Sequence, residues 1–164
     1  MITIRKITPY DDRKKISRIY EQSWKTAYAG IVPQDYLDSI PEGRWASKID
    51  SPGWNTLVCE VDGNIVGTSS FCRSRFKEYA DEGEIISIYF LPEYMHKGYG
   101  GQLLSVAING LVASGYNKIF LWVLEDNKSA RKFYESQGFV LTDGVVENDI
   151  GGKNLREVRY SLTF

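Results

Sequence analysis

The sequence predicts a single α/β domain over residues 1–164 (α+β by some schemes), built on a mixed sheet of six or seven strands. Three features point there. Ile85–Leu91 and Ile119–Leu124 are nearly unbroken apolar runs, as expected of central strands covered on both faces. Between them, Leu103, Leu104, Ala107, Ile108, Leu111 and Val112 recur at helical spacing within Gly101–Ser114. A strand, a helix and a strand in about 40 residues form a crossover that makes the two strands parallel. The third feature is Asp62-Gly63-Asn64 between two strand-like runs, strong hairpin chemistry that makes its own pair antiparallel.

The other elements follow in order. Ile2, Ile4 and Ile7 with polar neighbours read as a first strand. Asp11–Tyr28 places Ile16, Ile19, Tyr20, Ser23, Trp24 and Ala27 on one helical face. Gly30 is a plausible stop. Pro33–Leu37 and Glu42–Ile49 are expected to be two short helices split by Pro41. Thr56–Val61 and Ile65–Cys72 are the hairpin strands. Arg73–Gly83, polar and acidic toward its end, is expected to be a loop or a frayed extension. Asn127–Ser136 is a helix capped by Asn127 and ended by Gly138. Val140–Val146 and Leu155–Leu162 are the last strands. The polar stretch Glu147–Asn154, with Gly151-Gly152, reads as a mobile lid or a plain turn.

Composition excludes several function classes. Lys and Arg total 20 against 21 Asp and Glu, a net charge of −1, so the basic excess of a nucleic-acid binder is missing. One His and two Cys nearly exclude a dedicated zinc site, and no metal is expected. Cys59 and Cys72 are read as buried, reduced thiols. Met1–Lys15 lacks an apolar signal-peptide core, and no apolar run approaches the roughly 20 residues that span a bilayer. No membrane partner and a cytoplasmic location are therefore expected. Eleven of the 22 aromatic residues are Tyr, which favours surfaces that are apolar yet hydrogen-bonding.

The most informative segment is PEYMHKGYGGQLL, Pro92–Leu104. Gly98, Gly100 and Gly101 stand where a buried strand gives way to a helix. Backbone N–H groups there can converge on an anion, and the helix start adds about half a positive charge. This suits a pyrophosphate; the competing reading is a tight turn. His96 and Lys97 lie in the loop as further donors. The G-K-[ST] ending of a Walker A loop is absent. Leu103 replaces the third Gly of a dinucleotide fingerprint, and the acidic residue about 20 positions later is missing. In the second segment, Asn127 and Tyr134 lie two helical turns apart, about 10 Å on one face, with small Ala130 between them. Read alone, they are a cap and a packed aromatic.

Taken together, GEIISIYFLPEYMHKGYGGQLL followed by WVLEDNKSARKFYESQGF resembles the GNAT superfamily of N-acetyltransferases, well matched over Gly83–Phe139. Gly98 and Gly100 match the family's Gln/Arg-x-x-Gly-x-Gly/Ala motif, while Met95 stands in the Gln/Arg place. The resemblance implies a mostly antiparallel sheet with a splayed central parallel pair and about four helices. It implies acetyl-CoA as cosubstrate, held by the backbone of Ile88 and Phe90, by His96, Lys97, Gly98, Tyr99, Gly100 and Gly101, and by Asn127. It implies direct attack by a primary amine of a small molecule or peptide. Tyr134 would be the acid at the departing sulfur. Glu84 is the candidate base; its other reading is a solvated carboxylate at a strand end. His96, inside the phosphate loop, is a weaker base candidate. Trp24, Tyr28 and Tyr36 would wall the acceptor pocket, although Trp24 reads better as helix-to-sheet core. Relatives of this family often pair through their last strands, so a homodimer is one expectation. The rival reading is a non-catalytic CoA or acyl-CoA sensor.

Overall fold

A computed structural model describes residues 1–164. Its order is β1 (Ile2–Lys6), α1 (Arg13–Ala27), α2 (Gln34–Ser39), β2 (Asn55–Val61), β3 (Asn64–Arg73), β4 (Gly83–Phe90), α3 (Tyr99–Ala113), β5 (Lys118–Leu124), α4 (Lys128–Ser136), β6 (Val140–Ile150) and β7 (Lys153–Thr163). Single turns of 3₁₀ helix occupy Lys77–Tyr79 and Pro92–Tyr94. The strands form one sheet in the order β1-β2-β3-β4-β5-β7-β6, with β4–β5 the only parallel pair. No helix is long and apolar enough to cross a membrane.

Side chains alternate across each strand, so each strand feeds two cores. Leu57, Cys59, Ile85, Ile119, Leu121, Val158 and Tyr160 meet Leu103, Leu104, Ala107 and Leu111 of α3. On the opposite face Val58 packs with Ile16 and Tyr20 of α1, while Leu124 and Leu155 pack with Leu37 of α2. Helices therefore cover both faces of the sheet. Cys59 and Cys72 are free, and burial pushes each thiol up to about 11.

The β2–β3 hairpin turns on two residues, Asp62 (φ 51°) and Gly63 (φ 82°), with Val61 paired to Asn64. Asn64 thus opens the strand and is not a turn residue. Two other expectations need correction. Glu42–Ile49 forms turns and no helix. Gly43 sits at φ 76°, and two N–H groups bond away from the segment. That of Gly43 donates to Glu21 Oε2 (3.0 Å), and that of Trp45 to Ser17 Oγ (3.0 Å). Helical hydrogen bonding is replaced by anchoring to α1. Glu147–Asn154 is neither lid nor plain turn, because β6 and β7 run on as a hairpin to the Ile150–Lys153 pair. Gly151 and Gly152 alone turn the chain, at φ 63° and 87°. Between β3 and β4 the chain forms a loop with one 3₁₀ turn, the first of the two readings of Arg73–Gly83.

Two features of β4 set up the site. Its pairing with β5 ends after Gly83–Ile119 and Glu84–Phe120. Its register with β3 slips between Ser70 and Phe71, which skips Ile86. Such a bulge bends and twists the strand that carries it. Beyond the bulge β4 follows β3, while β5 follows β7 along its whole length. The parallel strands therefore diverge. Gly67 of β3 lies opposite Phe90, whose ring covers it; a Cβ there would come 2.6 Å from Phe90 Cδ1. Gly67→Ala is expected to cost about 1–3 kcal/mol through overpacking, measured by chemical denaturation. Unchanged stability would show that the Phe90 ring is free to move aside.

Candidate active site

The divergence opens a cleft with two chambers. One, of about 270 Å³, lies on the α1 side and is lined by Trp24, Tyr28, Arg75, Phe76, Glu84, Tyr89, Trp122 and Glu157 among others. The second, of about 810 Å³, runs along α3 and α4 past Phe90, Met95, His96, Gly98, Gly100, Gly101 and Lys132. Both are lined by Ile88, Asn127, Ala130 and Tyr134, so the chambers meet there.

The larger chamber has two sources of backbone hydrogen bonds. The Leu91 N–H donates to Val66 O (2.9 Å) on β3. In an antiparallel ladder bonded residues alternate, so Tyr89 also faces β3. Ile88 and Phe90 therefore turn their N–H and C=O groups toward the opening. The second source is the start of α3. Gly98 is its N-cap in the left-handed region, at φ 85°, with no side-chain cap and no acidic residue in the first turn. Those N–H groups remain available to an anion. His96, at φ 59°, gives the loop a second left-handed residue just before Gly98. Gly100 and Gly101 bring α3 against α4, since a Cβ on either would sit 3.4 Å from Phe133 or 3.5 Å from Gln137. Met95, in place of a polar bracing residue, packs against the main core.

Of the residues expected around a cofactor, Ile88, Phe90, His96, Gly98, Gly100, Gly101, Asn127 and Tyr134 line this chamber. The side chains of Lys97 and Tyr99 do not. Lys97 Nζ lies 5.9 Å from the Tyr94 ring centroid, and Tyr99 stacks on Phe90. Each offers the loop only its backbone. Sequence reasoning missed Lys132, a cation on α4; its place on the wall follows from α4 geometry alone.

Asn127 caps α4, its Oδ1 accepting from the Ala130 N–H (3.2 Å). The helix is tied to β7 through Tyr160, which accepts from Arg131 Nε (3.0 Å) and donates to Glu135 Oε2 (2.6 Å). These contacts fix α4 and hence Tyr134, which is half-buried at the meeting of the chambers. Burial, and after it the neighbouring Tyr89, raises the Tyr134 phenol well above 10. It is a neutral hydrogen-bond donor at ordinary pH.

The smaller chamber is aromatic. Trp24 donates from Nε1 to Tyr89 OH (3.2 Å) and meets the edge of Tyr28 at 4.8 Å between centroids. Burial first, then Tyr89, drives the Tyr28 phenol well up. Trp24 serves both as wall and as core. Tyr36 does not line the chamber. It packs on Gly151 at the β6–β7 turn, in the cluster under α2. Tyr89, Trp122, Arg75, Phe76 and Glu157 were not expected in the wall. The sequence reads Ile119–Leu124 as an apolar run and Leu155–Leu162 as a strand, and neither pattern says which face would be open.

Glu84 is almost fully buried and bound to one partner. Its Oε1 accepts from the Arg75 backbone N (3.0 Å) and Nε (3.1 Å), and its Oε2 from Nη2 (2.6 Å). It is not a solvated strand-end carboxylate. Three donors of Arg75 converge on it, which makes it an anchor for the loop and a poor receiver for a substrate proton. Arg75→Ala is expected to destabilise the fold by about 2–3 kcal/mol, because a buried carboxylate loses its partner. Arg75→Ala/Glu84→Gln should recover at least half of that in thermal or denaturant unfolding. Strict additivity would contradict the pairing.

A cleft with an anion cradle at one end, an aromatic chamber at the other and a protonated phenol between them is the layout of a group-transfer enzyme. Residues 15–139 match the model of the acetyltransferase (GNAT) family, and the chain belongs to that family. It is therefore an acetyltransferase, and the family's reaction moves an acetyl group from acetyl-CoA to an amine. An uncharacterised N-acetyltransferase of Bacillus subtilis, YuaI, is 32% identical over 162 residues, 96% of this chain and 91% of its own length. The spermidine N(1)-acetyltransferase of Thermoplasma acidophilum is 29% identical over 150 residues, covering 87% and 90%. The crystal structure of the PaiA N-acetyltransferase from Thermoplasma acidophilum in complex with coenzyme A shares the fold. Its TM-score is 0.77 at 24% identity, over 100% of this chain and 99% of that one.

Proposed function

We propose that this chain acetylates a primary amine of a small molecule by direct attack of the amine on acetyl-CoA. The observation that carries the reading is the meeting of the two chambers at Tyr134. Bound in the larger chamber, acetyl-CoA supplies an acyl carbon activated by its thioester. The residues there fit such a molecule: the uncapped α3 start and the left-handed Gly98 suit its pyrophosphate. The free β4 edge at Ile88 and Phe90 suits pantetheine amides, as an added strand would. His96 and Lys132 line the same wall as further polar contacts for the phosphates.

On the acceptor side, the amine must lose a proton before it attacks. A lysine-like amine of pKa ~10.4 is only about 0.04% neutral at pH 7. Tyr134 acts on the other side of the reaction. Its raised pKa keeps the proton on oxygen, so it donates a hydrogen bond to the sulfur as charge develops there and does not surrender the proton outright. Glu84, bound by Arg75, holds the chamber wall and is not assigned the base role. The spermidine acetyltransferase among the relatives supports a small acceptor, as does the 270 Å³ size of the aromatic chamber.

The test is thiol release from acetyl-CoA with spermidine, 1,4-diaminobutane, 2-phenylethylamine and a lysine peptide. Turnover with at least one small amine is expected; acetyl-CoA binding without turnover would favour the sensor reading. Tyr134→Phe should lower kcat about 100-fold while acetyl-CoA still binds in calorimetry. Equal turnover at every pH would remove Tyr134 from the chemistry. Gly98→Val should weaken acetyl-CoA at least about tenfold, since it strains a left-handed residue in the cradle. Unchanged affinity would place the pyrophosphate elsewhere.

A further inference from the structure

The charged side chains lining the aromatic chamber are Arg75, Glu84 and Glu157. Arg75 and Glu84 neutralise one another through two guanidinium hydrogen bonds. Glu157 is left as the one negative charge without a cationic partner in contact. It stands on β7, half-buried, with Asn148 of β6 donating to its Oε2 (2.6 Å). That bond fixes the carboxylate by one oxygen and leaves Oε1 for a ligand. Around it the wall is Trp24, Tyr28, Tyr89, Trp122 and Val146.

A lone carboxylate in an aromatic chamber matches a ligand with a cationic head and an apolar or extended body. We infer that Glu157 receives the acceptor's ammonium group and takes the proton that must leave before attack. This rests on the amine-acetylation reading above. The balance is simple. An N–H bond of the ammonium breaks, its electron pair stays on nitrogen, and the proton forms an O–H bond on Glu157, which later releases it to water. The nitrogen pair then forms the N–C bond, the C–S bond breaks with its pair on sulfur, and nitrogen's second proton neutralises the thiolate beside Tyr134.

The groups facing Glu157 decide how well it can do this. Desolvation by burial raises its pKa above the ordinary 4.5, opposed first by the Asn148 hydrogen bond and then by the charge of Arg75. Burial raises the phenols of Tyr28, at the C-terminal end of α1, and Tyr89 of β4, and the Glu157 charge adds to it, so both stay neutral. An ordinary amine and an ordinary carboxylate lie about six pKa units apart. The chamber narrows that gap from both sides, because desolvation also favours the neutral amine.

The sign of the pH effect follows. Glu157 must be ionised to act, so kcat/KM should fall as pH drops through its raised pKa. Removing the Asn148 bond should raise that pKa further and move the acidic limb to higher pH. The experiment measures pH profiles of kcat/KM for the wild type, Glu157→Gln and Asn148→Ala, using the best amine of the panel above. Acetyl-CoA calorimetry and melting curves serve as controls for the fold. Glu157→Gln is expected to lose about 100-fold in kcat/KM and the acidic limb, with acetyl-CoA affinity unchanged. Asn148→Ala should keep turnover with its limb shifted upward. A Glu157→Gln enzyme within a few-fold of wild type, or an Asn148→Ala limb that does not move, overturns the inference and leaves amine acetylation standing. A wild type that binds acetyl-CoA but turns over no amine overturns both.

Discussion

Strands β4 and β5 share hydrogen bonds at two residue pairs and then separate, and nearly every feature of the site descends from that separation. A central strand normally spends both edges on neighbours. Here the bulge at Ile86 commits β4 to β3, while β5 is committed to β7 over all seven of its residues. The Ile88 and Phe90 backbone groups are left without a strand partner. Unpaired backbone polar groups within a fold cost free energy unless something bonds to them. A ligand rich in amides is the natural complement. The same divergence lets the wall of α4 reach the middle of the sheet and put Tyr134 where the chambers join.

The helices then supply electrostatics that the sheet cannot. The α3 start, freed of any side-chain cap, offers N–H groups at one end of the cleft. The Asn127 cap and the Arg131–Tyr160–Glu135 bonds hold α4 at the other. Net charge near zero is compatible with anion binding for this reason: a dipole and a few backbone donors substitute for a basic surface. The excess of tyrosine also gains a use. Tyr28, Tyr89 and Tyr134 give the chambers walls that are apolar over the ring and hydrogen-bonding at the tip, and burial keeps all three protonated.

Much of this was readable from residues in order. Apolar runs at 85–91 and 119–124 around a helical pattern point to the parallel pair, and the glycines at 98, 100 and 101 point to the turn into α3, because both signals are local. The failures share a physical cause. Glu42–Ile49 has a helical pattern, but its N–H groups are captured by Ser17 and Glu21 on another element. Glu84 reads as a free strand-end acid until the chain folds Arg75 onto it. Tyr36 sits in an aromatic-rich stretch, yet Gly151, 115 residues later, decides that it packs instead of lining the pocket. Glu157 is ordinary in sequence, one acid in an alternating strand. Its place as the unpaired charge of the chamber comes only from the open face of β7 and the pairing of the other two charges.

The claim that the opened β4 edge is the cosubstrate-binding edge is tested most directly by residue-resolved amide exchange with and without CoA. In the free protein, the N–H groups of Ile88 and Phe90 should exchange much faster than those of Tyr89 and Leu91, which face β3. CoA should protect Ile88, Phe90 and the first turn of α3 together, leaving Tyr89 and Leu91 unchanged. Equal protection of all four β4 and post-β4 amides in the free protein, or CoA protection confined to other elements, would contradict the account.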